Sequence, residues 1–137
     1  MMMSMFLIAA AAVAMSPSVP ANIDVAEANW TSYPRLVTEH LAIPNGEMVG
    51  RVQRLMRDDR CDFEGQSARR FNIDVNYAVE LDPQGNATRI LVQDVGCRPL
   101  ELMVGRIASD IVARGFVRTA APAETTLYAN TINFNLR

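Results

Sequence analysis

From Phe71 onward the chain alternates with a period of two. Phe71, Ile73, Val75, Tyr77, Val79 and Leu81 fall on one side, and Asn72, Asp74, Asn76, Ala78, Glu80 and Asp82 on the other. Such alternation is what a strand needs when one face is buried and the other meets water. Asp82-Pro83-Gln84-Gly85-Asn86 predicts a turn, because proline fixes φ, glycine reaches the left-handed region and Asx side chains bond nearby backbone. Residues 88–95 then predict the returning strand of a hairpin, with Ile90 and Val92 inward. A last alternation sets Tyr128, Ile132, Phe134 and Leu136 against Thr131, Asn133 and Asn135, and predicts a final strand over 126–136.

Elsewhere the period is helical. Met48, Val49, Val52, Leu55 and Met56 share one face of a predicted helix over 47–58, with Arg51, Arg54 and Arg57 opposite. Leu100, Met103, Val104, Ile107 and Ile111 predict another, opened at Pro99 and stopped at Gly115. Leu36, Val37, His40 and Leu41 predict a short helix over 33–41, in whose first turn Pro34 lacks only an N–H that has no partner anyway. Pro44-Asn45-Gly46 predicts a turn, and the polar, irregular residues 22–32 read as a mobile leader. The order α-α-β-β-α-β over 33–137 predicts one α+β domain in two layers, an antiparallel sheet with a helix packed on one face.

The remaining 21 residues carry no charged side chain. Residues 5–15, MFLIAAAAVAM, form an apolar run of eleven. A membrane-spanning helix needs about 20, so the run predicts a signal peptide over 1–21, cleaved after Ala21, with a second candidate site after Ala28. A buried N-terminal helix is the alternative. On the first reading the protein is periplasmic or secreted and has no stable membrane anchor. Cys61 and Cys97 then form an even pair in an exported chain, which predicts one disulfide; two buried free thiols are the alternative. Neither lies in a CxxC, which argues against a redox-catalytic dithiol. A net charge of −2 gives no electrostatic reason to expect nucleic acid.

Candidate chemistry is sparse. His40 is the single histidine. It would need Cys61 or Cys97 beside it to make a nucleophile, and its bland reading is a structural residue on an amphipathic helix. Zinc asks for three or four ligands, which His40 and two distant cysteines would supply only by coincidence. Asp58, Asp59, Asp62 and Glu64 lack calcium-loop spacing and interleave with Arg57, Arg60, Arg69 and Arg70, as in a solvated, ion-paired loop. No metal, cofactor or catalytic group is expected, and the chain is read as a non-enzyme. The alternatives are a small secreted enzyme or an envelope inhibitor using Cys61, Cys97 or His40.

Three segments carry a family resemblance: NIDVNYAVELDPQGNATRILVQDVGC, PLELMVGRIASDIVARGF and YANTINFNL, together with Tyr33-Pro34 upstream. Their sequence of strand, turn, return strand, helix and final strand resembles the C-terminal domain of the TonB family over residues 71–136. The chain departs from that family in lacking its membrane anchor and long proline-rich spacer, and residues 47–70 resemble an insertion. The resemblance therefore implies the fold and an exposed strand edge that accepts a partner strand, without the energy-transducing role. It places partner binding on the final strand, at Tyr128, Asn130, Ile132, Asn133, Phe134 and Asn135. The implied partner is an envelope protein such as an outer-membrane receptor, with pairing to a second copy in a homodimer as the alternative.

Overall fold

The computed structural model describes residues 22–40 and 42–137. The predicted signal peptide, with its cleavage site after Ala21, lies outside the described residues.

The alternating segments form strands and the helical-period segments form helices. Strand β2 is Phe71–Leu81, β3 is Ala87–Gln93 and β4 is Thr126–Leu136; helix α1 is Gly46–Arg57 and α2 is Arg98–Ala113. Asp82 builds the β2–β3 turn: its side chain accepts from the N–H groups of Gln84 and Asn86, and its carbonyl from Gly85. Asn45 caps α1 by accepting from the Met48 N–H, while Glu47 in the first turn and Arg54 and Arg57 in the last complement the helix dipole. Helix α2 ends ahead of Gly115, whose φ of 71° is the left-handed stop expected there.

Both helices cover one face of the sheet. Phe71, Ile73, Val75, Tyr77, Val79 and Leu81 of β2 join Ile90, Val92, Ile132 and Phe134 beneath Val52, Leu55 and Met56 of α1 and Leu100, Met103, Val104 and Ala108 of α2. The odd-numbered register of β2 is thus the core side throughout, as a period of two requires.

The N-terminal third departs from expectation. Residues 22–32 are not a mobile leader: Ile23–Ala26 is a strand, β1, and Trp30–Ser32 a 3₁₀ turn. Strand β1 pairs in parallel with β3, so the four-stranded sheet is mixed rather than antiparallel, in the order β1-β3-β2-β4. Its docking requires a glycine, because a Cβ on Gly105 of α2 would lie 2.6 Å from Ile23. Residues 33–40 are not helical either. They run extended past β4, with Arg35 bridging Ala129 and Thr38 bridging Val117. Leu36 is fully buried there, and one buried side chain on an extended segment is easily mistaken for part of a helical stripe.

Strand β1 lies at one edge of the sheet and Arg35 beyond the other, so residues 27–34 must cross a face. Both helices occupy the core face. On the opposite face Ala78 and Leu91 are buried although no helix lies over them, which places the crossing strap there. Residues 22–36 therefore wrap the sheet from edge to edge.

Cys61 and Cys97 are joined, with Cα atoms 5.2 Å apart. The bridge ties the loop after α1 to the residue that opens α2, and it fits an oxidising compartment outside the cytoplasm. No helix among the described residues is long and apolar enough to cross a membrane.

Candidate functional site

Strand β4 is an edge strand, and its outer side is of two kinds. Backbone groups of an edge strand point alternately toward and away from the neighbour. Ala129 points away from β2: its N–H donates to the Pro34 carbonyl, and its carbonyl accepts from the Leu36 N–H, both at 2.8 Å. By alternation Thr131, Asn133 and Asn135 also point outward. The Thr131 N–H is taken by the side chain of Asn130 at 2.8 Å. The Thr131 carbonyl and the N–H and carbonyl groups of Asn133 and Asn135 have no backbone or side-chain partner among the described residues. Nothing between Thr126 and Leu136 is charged or proline, the two devices that commonly blunt an edge.

The six β4 residues named from sequence separate by side. Ile132 and Phe134 are fully buried in the core, and Tyr128 packs against it. Asn130 donates to the Leu36 carbonyl at 3.0 Å, which latches the covering segment onto the strand. Asn133 and Asn135 are exposed on the strap-side face, where their amides donate to β2: Asn133 to Asn72 and Asp74, Asn135 to Asn72. Thr131 likewise donates to Asn76 at 2.7 Å. This ladder of side-chain bonds ties the outer half of β4 to β2.

The residues considered for chemistry do not assemble. Both cysteines are consumed in the bridge, so no thiolate faces His40 in the oxidised protein. The His40 imidazole stands edge-on to Phe116 with centroids 5.1 Å apart. The 58–70 loop is solvated but not ion-paired: Asp58, Asp59, Asp62 and Glu64 make no salt bridge to Arg57, Arg60, Arg69 or Arg70 among the described residues. Also among those residues, no group of three or more His, Cys, Asp or Glu could hold a metal ion. Tyr77 has its phenol pushed up to about 12 by burial, as expected of a core side chain on β2.

Two features escaped the sequence. Glu101 is 3% exposed, and its carboxylate accepts from the N–H groups of Val95 and Cys97 at 2.8 and 3.3 Å. It braces the turn into α2 beside the disulfide. The second is a groove of ≈ 790 Å³ between α1, α2, His40 and residues 42–45. Met48, Leu102, Met103, Ile107, Ile111 and Phe116 give it an apolar lining, and Arg51, Arg60, Arg98 and Arg106 stand around it. No protein family, curated protein or solved structure matches the chain.

Proposed function

We propose that the chain is a periplasmic or secreted binding module that takes a partner strand along residues 131–136 of β4. The partner class implied by its TonB-like resemblance is an envelope protein such as an outer-membrane receptor. One observation carries the reading: Asn133 and Asn135 direct free backbone donors and acceptors away from the sheet on a strand with no charge or proline. Strand addition uses such groups for affinity, each worth about 0.5–1.5 kcal/mol net. The Asn and Thr side chains tied to β2 reduce the entropy lost when a second strand docks.

The geometry also supplies a clean test. Because the Asn133 N–H faces away from β2, Asn133→Pro removes an outward donor and the exposed side-chain bonds to Asn72 and Asp74 without removing a backbone bond between β2 and β4. Asn133→Lys keeps the backbone and adds an edge charge. The expected result is that partner capture from envelope extract is lost with both variants, while each unfolds within about 1 kcal/mol of the parent. Capture that survives in both folded variants refutes strand addition. Sedimentation of the purified chain separates pairing with a second copy from pairing with a different protein.

A further inference from the structure

We infer that the groove between the two helices is a binding site for a single-chain anionic amphiphile, a long-chain carboxylate being the simplest member of that class. The inference is independent of the β4 edge, which lies elsewhere on the sheet.

The first observation is shape. The groove follows α2 from Arg98 to Ile111, about 20 Å at the helical rise of 1.5 Å per residue. A bilayer's hydrocarbon core is about 30 Å thick, so one acyl chain is about 15 Å long, and the groove accommodates that length. Its ≈ 790 Å³ falls in the range of small-molecule pockets.

The second observation is what faces the space. Leu102 and Ile107 stay partly exposed along the groove. Ile43, at the groove wall, is 78% exposed. Apolar surface kept open along a continuous channel gains by being covered.

The third is charge. Glu47 and Asp110 also line the groove, but each already pairs with an arginine, Arg51 and Arg114. Arg60, Arg98 and Arg106 make no ion pair among the described residues. Arg60 precedes Cys61 and Arg98 follows Cys97, so the disulfide holds these two cations at one end of the apolar floor. Arginine is the side chain suited to a carboxylate or phosphate head, because its planar fork donates two parallel hydrogen bonds. An apolar channel with unpaired guanidinium groups at its end has the polarity of an anionic amphiphile, head against the bridge and tail toward Phe116.

The test is titration of the full chain with dodecanoate below its aggregation range. Dodecyltrimethylammonium (same tail, opposite head charge) and butyrate (same head, short tail) serve as comparisons. Saturable binding of dodecanoate at one site is expected, at least about tenfold tighter than either comparison. Arg60→Gln and Arg98→Gln, both at exposed positions without ion pairs among the described residues, should each weaken dodecanoate about tenfold, the scale of one charge-assisted hydrogen bond. Neither should change what little affinity the cationic amphiphile has. Ile43→Asp should weaken dodecanoate as well, through the wall rather than the head. Equal affinity for the two head charges, indifference to both arginine variants in folded protein, or no saturable binding would each overturn the inference. So would capture of an acidic amphipathic peptide in preference to dodecanoate.

Discussion

The two halves of β4 share one strand, one partner strand and one regular register with β2, yet they meet different surroundings. In the first half the segment around Leu36 bonds both outward backbone groups of Ala129. Residues 131–136 have no such cover among the described residues. Nothing in the local sequence of β4 marks the change. The difference teaches that the usable length of an edge is decided by a segment more than ninety positions away, not by the strand's own propensity. Leu36 closes the first half through its buried side chain, Asn130 latches it, and beyond that latch the backbone is free.

Four perturbations break or sharpen this contrast. The largest effect is expected for Cys61→Ser with Cys97→Ser, about 4 kcal/mol from loop-closure entropy over the 36-residue separation. It should leave both halves of β4 as they are, so urea unfolding shifts while partner capture by the folded protein does not. Leu36→Ala comes next, at about 3 kcal/mol for a cavity at a fully buried site. This variant should loosen the cover, so capture extends to Ala129 and cross-links there appear that the parent lacks. Absence of new cross-links would show that the cover does not depend on that side chain.

Tyr77 sits opposite Asn130 in the β2–β4 ladder, at the boundary between the halves. Its phenol is neutral when folded and pushed up to about 12 from the ordinary 10.0. The folded-state value is the raised one, so its contribution is fully present below pH 10 and lost as pH rises from 10 to 12, about 2–3 kcal/mol in all. Alkaline denaturation followed by tyrosinate absorbance should show the loss, and Tyr77→Phe should flatten it. The smallest effect is Asn130→Ala, about 1 kcal/mol for the amide to the Leu36 carbonyl. It also releases the Thr131 N–H, so partner capture should strengthen slightly even as stability falls. Weaker capture would contradict the role given to the latch.

Much of the sheet was legible because its signals are local. Six alternating residues from Phe71 to Leu81, and Ile132 and Phe134 against Asn133 and Asn135, encode which face is buried within a few positions of each other. Val52, Leu55 and Met56 do the same at the helical period. Strand β1 was not legible, since Ile23 and Val25 offer only two inward residues and depend on Gly105 for room. The helix expected over 33–41 failed for a related reason. Leu36, Val37 and His40 have helical spacing, but Leu36 alone is buried, and the backbone of that segment is satisfied by Ala129 rather than by itself. At the candidate sites, the β4 edge could be guessed from a chargeless strand, but the half that is covered could not. The groove was hidden because Arg51 and Arg60 read as ordinary surface charges. What distinguishes Arg60 and Arg98 is where the disulfide puts them, which spacing does not encode.

The wrapping of residues 22–36 around the sheet also sets a hierarchy of motion. The segment meets the rest of the fold through β1, the strap, the buried side chain of Leu36 and two bonds to Ala129, so it is expected to open as a unit while the β2–β3–β4 ladder persists. Such an opening is a local event with a free energy below that of global unfolding. The Leu36 and Ala129 amides then lose protection to solvent together, ahead of the amides of β2. Each opening adds the outward backbone groups of Ala129 to the bare edge. Hydrogen exchange that shows the Ala129 amide released before those of β2 is the expected signature of this opening.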